Sequence, residues 1–182
     1  LVLLGSLWTS NLYAQTRYPK REFRGAWIQC VNGQFQGMPT EKMKKVLVSQ
    51  LDNLQKAGIN AIIFQVRAEA DALYKSPYEP WSRFLTGVQG KAPSPMWDPL
   101  QFMIEECHKR NMELHAWINP YRAKTKGTGA LSPMHPYSKN PELFVQYAGQ
   151  LYFDPGLPES RKYICKIVRD IVTRYDVDAI HM

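Results

Sequence analysis

The amino-acid sequence predicts an α/β protein built around a parallel β-sheet. Short apolar runs of the kind that form buried strands alternate with amphipathic stretches of helical period, in the order βαβαβαβ. The connections from helix to strand are very short, whereas two segments from strand to helix are long, at residues 67–97 and 119–157. Such a chain covers its strands with helices and places its long loops at the carboxyl ends of the strands.

The first predicted unit contains two strands and the helix between them. Residues 23–31 form the first strand, and residues 59–66, which are apolar on both faces, form the second. Thr40 is predicted to cap the intervening helix and Gly58 to end it. Helical spacing predicts that the buried face of this helix consists of Met43, Val46, Leu47, Leu51 and Leu54.

Two further units complete the pattern. The second helix has Asp98 as its cap and Pro99 at its first position, and it leads to a third strand at residues 112–118. The third helix begins near Pro158 and leads to a fourth strand at residues 177–182. The residues of the third helix that are predicted to point inward are Ile164, Ile167, Val168, Ile171, Val172 and Tyr175.

Units of this kind form either an open, doubly wound sheet or a closed eight-stranded barrel. An open nucleotide-binding sheet is expected to carry a glycine-rich turn after its first strand, but Gly25 and Gly33 form neither a G-x-G-x-x-G motif nor a P-loop. The sequence therefore favours a (β/α)8 TIM-barrel type of fold, truncated to about its first four β/α units. We expect residues 21–182 to be the N-terminal half of a barrel domain, with catalytic groups following Met182.

The first residues have the character of a secretory signal. Residues 1–14 begin with an uncharged apolar run and end in a small-residue cleavage site at Ala14, and the basic start of such a signal is missing. A buried N-terminal strand or helix is the alternative. We expect an exported protein, periplasmic or extracellular, and no other stretch is apolar enough to span a membrane.

The charge of the chain favours an acidic partner. Its 182 residues include 23 Lys and Arg against 16 Asp and Glu, which gives a net charge of +7. Nucleic acid is the usual partner of a basic protein, but export and the scattered positions of the cations argue against it. An acidic glycan of the cell envelope fits both charge and compartment, and an ordinary solvated surface is the alternative.

The three cysteines are predicted to be small buried packing residues. Cys30 lies in an apolar strand, and Cys107 and Cys165 lie on the apolar sides of helices. None of them has the spacing of a metal ligand, so neither a metal nor a cofactor is expected.

Polar and aromatic residues follow the second predicted strand. Arg67 and Asp71 are candidates for fixing substrate hydroxyls or carboxylates, and a structural ion pair that braces the loop is the equal alternative. Glu69 could act as a general acid, although a lone loop carboxylate is more often solvated. Tyr74 belongs to the same run, and Trp81 is the preferred platform for a sugar ring, with packing inside the loop as the alternative.

A second group of candidates follows the third and fourth strands. Asn119, Tyr121 and Arg122 follow the third strand, and Asn119 and Arg122 are plausible substrate ligands. His115 lies deeper in that strand and is more often a satisfied core histidine. His181 at the end of the fourth strand is the better site histidine.

Known catalytic motifs are missing from the sequence. There is no G-x-S-x-G elbow and no H-E-x-x-H helix, so neither a serine hydrolase nor a zinc peptidase is supported. Glycoside hydrolysis requires two carboxyl groups, and no pair stands clearly on adjacent strand ends.

Taken together, several long motifs in one order resemble the glycosyl hydrolase-like 10 family. The resemblance covers nearly all of residues 21–182 and rests on Gly25-Ala26-Trp27, Phe64-Gln65-Val66-Arg67, Asp71-Ala72-Leu73-Tyr74, Glu79-Pro80-Trp81-Ser82, Leu85-Thr86-Gly87, Trp97-Asp98-Pro99-Leu100, His115-Ala116-Trp117-Ile118-Asn119-Pro120-Tyr121-Arg122 and Phe153-Asp154-Pro155-Gly156.

The resemblance implies a (β/α)8 barrel and an exported protein that acts on glycan chains of the bacterial envelope, with peptide-free peptidoglycan strands as the favoured substrate. In the family, the counterpart of residues 178–182 is followed by an Asp-Asp-Tyr motif, so the resemblance places the catalytic carboxylates after Met182. Residues 30–35 depart from the family pattern, because they lack the acid, tryptophan and proline that many relatives carry.

We therefore predict a secreted glycoside hydrolase that uses paired carboxylates. A non-catalytic glycan-binding protein on a barrel scaffold is the alternative, and a metal-dependent deacetylase is weaker because it needs a His/Asp cluster. The residues expected to line the substrate cleft are Arg67, Asp71, Tyr74, Trp81, Asn119, Tyr121, Arg122 and His181.

Overall fold

The computed structural model describes residues 22–182, so the predicted signal at residues 1–14 lies outside the described part of the chain. Its central feature is a four-stranded parallel sheet, which confirms the predicted α/β class with a parallel sheet. The strands of this sheet, in spatial order, are β1 (Gly25–Ile28), β2 (Ala61–Arg67), β3 (Glu113–Ile118) and β7 (Ala179–His181).

Three long helices connect these strands. They are α1 (Thr40–Lys56), α3 (Pro99–His108) and α5 (Pro158–Arg174), and two short helices lie between them, α2 (Arg83–Thr86) and α4 (Pro136–Lys139). The cap of α3 is as predicted, because the Asp98 carboxylate accepts bonds from the backbone N–H groups of Leu100 and Gln101. The predicted cap of α1 is wrong. Thr40 is the first helical residue, and Pro39 holds the cap position, where no side-chain hydrogen bond caps the helix.

The two faces of the parallel sheet differ in their packing. The outer face packs on the helices and is largely buried, with Ile62, Phe64 and Leu114 among its fully buried members. The strand register places Trp27, Ile63 and His115 side by side on the inner face, where a closed barrel would have its interior. Among residues 22–182, this inner face is the less covered of the two, and Trp27 is 59% exposed.

The long segment after β3 is not a plain loop. It contains three short strands that form a separate antiparallel sheet in the order β4-β6-β5, from β4 (Arg122–Lys124), β5 (Phe144–Tyr147) and β6 (Gln150–Phe153). A second apolar cluster fixes this sheet against α5 and the β2 loop; its buried members are Ala70, Ala123, Leu151, Phe153 and Ile164. The sequence predicts an ordered loop here and misses the sheet, because strands of three or four residues carry too little alternation to be recognised.

Two predictions about α5 are wrong. Ile164, Ile167 and Ile171 are buried as expected, but Val172 is half exposed and Cys165 is exposed. Each of these two residues follows a buried isoleucine by one position, and one step along a helix rotates a side chain by about 100° away from the buried stripe. Cys30 and Cys107 are buried, as predicted. No helix within residues 22–182 is both long enough and apolar enough to cross a membrane.

A pair of substitutions tests the orientation of α5. We expect Ile167→Ala to lower the free energy of unfolding by about 2–4 kcal/mol, because it opens a cavity in a fully buried position. The matched control Val172→Ala should change it by less than about 1 kcal/mol, because half of that side chain is already in water. Urea denaturation followed by circular dichroism measures both; equal losses would show that the helix is rotated.

Candidate functional site

The carboxyl ends of the parallel strands form one edge of the sheet, which we call the mouth. The segments that follow β2 and β3 meet there, and three groups of polar contacts join them. The active sites of parallel α/β barrels lie at this edge, so the mouth is the candidate functional site.

Arg67, the last residue of β2, forms a fully buried ion pair at the mouth. Its Nε and Nη2 atoms each donate to a carboxylate oxygen of Glu79 at 2.7 Å, and both side chains are 0% exposed. Its Nη1 atom donates to the backbone oxygens of Asn119 and Pro120, just after β3. All three nitrogen atoms of the guanidinium group therefore bond within the protein, the arrangement expected of a structural ion pair, which was the alternative to substrate binding.

Glu69 lies between the two loops, almost completely buried. One carboxylate oxygen accepts bonds from Arg83 and Thr125, and the other accepts bonds from Arg83 and Thr128, at 2.6–3.2 Å. Burial raises the pKa of this carboxyl group, but the bonds from Arg83, Thr125 and Thr128 outweigh it and hold the pKa below its ordinary value. The group is neither solvated nor suited to donate a proton at neutral pH.

Asp71 is also sealed inside the loop and is 0% exposed. Its carboxylate accepts from the backbone N–H of Glu69 and from the side-chain amide of Gln89, both at 3.2 Å. Burial raises the pKa of Asp71 to about 6, and the nearby Glu69 charge acts in the same direction. Neither Arg67 nor Asp71 is open to a substrate in this structure.

The two predicted aromatic residues of the β2 loop belong to the main core. Tyr74 is fully buried, with its ring edge-on to Tyr175 at 5.6 Å between centroids. Trp81 packs on the same core but keeps part of its surface open, and it forms a bridge with Ala72 that turns the loop back on itself. Of the two, Trp81 alone retains a surface for a sugar ring.

The three predicted residues after β3 have different environments. The Asn119 side chain donates to the backbone oxygen of Ala68 at 3.2 Å, which joins the two loops. Tyr121 packs against the second apolar cluster. Arg122 is exposed, and within residues 22–182 no carboxylate or other hydrogen-bond acceptor engages its guanidinium group.

His181 lies at the end of β7 on the inner face, between two indole rings. Its ring meets Trp27 at 5.8 Å and Trp117 at 6.3 Å between centroids, edge-on in both cases. His115, deeper on the same face, contacts Glu113 at 2.9 Å and stacks on Phe23, which agrees with the predicted satisfied histidine. The inner face thus presents polar and aromatic groups close to the mouth.

A cavity of about 320 Å³ opens at the mouth, and we call it the mouth cavity. The segment after β1, the β2 loop, α2 and β4 all contribute to its walls. The lining residues are Val31, Asn32, Gly33, Gln36, Ala68, Glu69, Arg83, Phe84, Arg122 and Thr125. Arg122 is the only one of the eight predicted cleft residues that lines it.

Sequence reasoning missed several residues that build the mouth. His135 is buried, accepts from the backbone N–H of Tyr137 through Nδ1, and places Nε2 at 3.1 and 3.2 Å from the backbone oxygens of Glu69 and Ala123. Burial lowers the pKa of His135, which favours its neutral form. Glu79 could have been identified from the sequence, because it carries the opposite charge to Arg67 and lies near it along the chain. No local pattern in the sequence marks His135.

The residues that the structure describes include no group of three or more His, Cys, Asp or Glu side chains placed to hold a metal ion. The ligand cluster that a metal-dependent deacetylase needs is therefore not formed by this part of the chain.

Breaking the buried ion pair should destabilise the protein strongly. We expect Arg67→Met to lower the free energy of unfolding by about 3–5 kcal/mol, because it leaves the Glu79 carboxylate buried without a counter-charge. Adding Glu79→Gln should restore part of the loss. The pair between Lys44 and the exposed Glu41 is the control, and its removal by Glu41→Gln should cost under about 1 kcal/mol. Denaturant unfolding measures all three variants; a loss below about 1 kcal/mol for Arg67→Met would contradict the structural role.

Asp71 should make stability depend on pH. Between the unfolded pKa of 3.8 and the folded pKa of about 6, the folded state keeps a proton that the unfolded chain loses. Stability therefore falls as pH rises through this window and then levels off. In Asp71→Asn this fall is absent, so the unfolding free energy of the wild type relative to the variant should drop by roughly 2 kcal/mol from about pH 4 to pH 6. Urea unfolding at a series of pH values measures the difference, and a constant difference would contradict the burial of this group.

Known structures with a similar fold are glycosidases. The maltogenic α-amylase AmyB from Thermotoga neapolitana matches with a TM-score of 0.55 and 18% identity, over 86% of this chain and 38% of that one. α-L-Fucosidase isoenzyme 2 from Paenibacillus thiaminolyticus matches with a TM-score of 0.57 and 15% identity, over 88% of this chain and 23% of that one. At these identities the likeness concerns the fold alone.

Relatives at higher identity are named glycosyl hydrolases. YngK of Bacillus subtilis (strain 168) is 43% identical over 187 residues, which cover 100% of this chain and 36% of that protein. DigH of Escherichia coli (strain K12) is 33% identical over 188 residues, which cover 92% of this chain and 42% of that protein. The chain thus spans about two fifths of the length of these relatives. The model of the family Glycosyl hydrolase-like 10 matches residues 22–182, and the chain belongs to this family.

Proposed function

We propose that the protein carrying this chain is an exported glycoside hydrolase that cleaves glycan strands of the bacterial envelope, with peptide-free peptidoglycan as its substrate. Family membership supports the reaction class. The observation that carries the proposal for this part of the chain is the group of His181, Trp27 and Trp117, which borders the mouth on the inner face of the sheet. Indole rings bind the apolar faces of sugars, and an imidazole can bond their hydroxyl groups.

The proposed chemistry is hydrolysis by a pair of carboxyl groups, one acting as acid and the other as base or nucleophile. Within residues 22–182, the three buried carboxylates at the mouth are all committed to structure: Glu69 accepts four bonds, Glu79 pairs with Arg67, and Asp71 is sealed. We therefore assign the reacting pair to another part of the protein, following Met182. The role of this half is to bind and orient the glycan, which lowers the barrier by fixing the reacting bond beside that pair.

Glu69 and Asp71 are both buried and bonded within the protein. This also supports a second candidate, an envelope glycan-binding protein without hydrolytic activity. The two candidates differ in one observable: a hydrolase releases shorter fragments with new reducing ends, and a binding protein retains the strand unchanged. Incubating the full-length protein with peptide-free strands and counting reducing ends separates them.

A histidine pair tests the role of the inner face in the full-length protein. We expect His181→Gln to lower kcat/KM for peptide-free strands by about tenfold or more, because a flexible amide does not keep the hydrogen-bond geometry of the imidazole between its two indole rings. His108→Gln is the matched control, since His108 ends α3 on the opposite side of the sheet, where it pairs with Asp178, and its turnover should stay within about twofold. Release of reducing ends measures both. Equal turnover by His181→Gln and wild type would refute the contact, and binding without any product from wild type would favour the second candidate.

A further inference from the structure

The mouth cavity carries a positive charge that is not paired with a carboxylate in the described part of the chain. Arg122 lines it from β4, is exposed, and meets no carboxylate within residues 22–182. Arg83 lines it from α2 and uses its Nε and Nη2 atoms on Glu69, which leaves its Nη1 atom without an acceptor in the described part of the chain. Two guanidinium groups therefore face one cavity, and only one of them is paired.

The acidic groups nearby do not cancel this charge. Glu69 is matched by Arg83, and its oxygens also accept from Thr125 and Thr128, so no lone pair of this carboxylate is left to hold Arg122. Asp71 is enclosed behind the wall and does not line the cavity. One positive charge thus remains on an exposed side chain in the wall of a concave site, where it can form a charge-assisted bond to an anion.

The part of the wall that follows β1 is polar but uncharged. Asn32 and Gln36, in the segment after β1, present side-chain amides, and neither amide has a hydrogen-bond partner among residues 22–182. Amide groups donate to and accept from hydroxyl groups, which suits a sugar ring. At about 320 Å³ the cavity is at the lower end of the size range of small-molecule sites, roughly 300–1,000 Å³, so it has room for one substituted sugar residue.

We propose that the mouth cavity is a subsite for a sugar residue that bears a carboxylate, with Arg122 binding the carboxylate and Asn32 and Gln36 binding ring hydroxyls. The assignment rests on the proposed function and adds what the glycan must carry: a free acid group at the subsite. The planar guanidinium group matches both oxygens of a carboxylate, which a lysine ammonium does not. In a glycan whose acid groups are blocked by peptides, this contact is lost.

The experiment compares one glycan in two chemical states. Peptide-free peptidoglycan strands carry free lactyl carboxylates, and coupling with methylamine converts these to neutral amides without changing the backbone. Binding of both forms to the full-length protein is followed by tryptophan fluorescence at low temperature, so that cleavage is slow during the measurement. We expect the wild type to bind the acid form about tenfold more tightly, and we expect this preference to shrink as salt is added.

Three variants connect the preference to Arg122. Arg122→Gln should bind the acid form about tenfold more weakly and the amide form as the wild type does, so that the preference disappears. Arg122→Lys should keep part of the preference for the acid form, because the positive charge remains but the planar guanidinium group, which can bond both carboxylate oxygens, is lost. Lys126→Gln, an equal change of charge at an exposed residue that does not line the cavity, should behave as the wild type.

The outcomes separate this inference from the proposed function. Equal binding of the acid and amide forms by the wild type, or an equal loss of preference in Lys126→Gln, would overturn the subsite while leaving glycan hydrolysis intact. No binding and no cleavage of either form would overturn the proposed function itself, and the subsite with it.

Discussion

The mouth depends on the buried ion pair between Arg67 and Glu79. The guanidinium group satisfies both oxygens of Glu79 and two backbone oxygens after β3, so one side chain fixes the start of both long loops. Burying two charges is costly, and only such complete pairing makes it tolerable. The pair therefore contributes more to the choice of one loop arrangement than to net stability, because an alternative arrangement would leave a bare charge in the core.

A second layer of contacts builds on the first. Glu69 gathers Arg83, Thr125 and Thr128 around one carboxylate, and His135 bonds the backbone on both sides of the same gap. These groups come from the β2 loop and from the segment after β3, so each contact closes a loop of many residues and fixes its ends. Of the charged residues that line the mouth cavity in the described part of the chain, Glu69 and Arg83 pair with each other and Arg122 remains unpaired, which gives the cavity a positive character.

Sequence reasoning predicted the parallel sheet and the long helices because their signals are local. Helical spacing marks Ile164, Ile167 and Ile171, and the Asp98–Pro99 start is a short-range capping pattern. The role of Arg67 could not be decided in this way. Whether a cation at a strand end binds substrate or braces a loop depends on Glu79 and on backbone oxygens more than 50 residues along the chain, and on three-dimensional contacts that no spacing rule encodes.

The pKa shifts alone would select Asp71 as the general acid at the mouth, but its buried position rules this out. A pKa of about 6 would make Asp71 the better general acid, whereas the lowered pKa of Glu69 makes it a poor one. Yet Asp71 has no exposed surface, and a proton donor must reach the glycosidic oxygen. Its raised pKa is the consequence of burial in a structural role, since the same desolvation that shifts the titration also removes the group from any substrate. The groups left outside the network include Arg122 at the mouth cavity and His181 between its two indole rings, and these are the groups that we propose as glycan contacts.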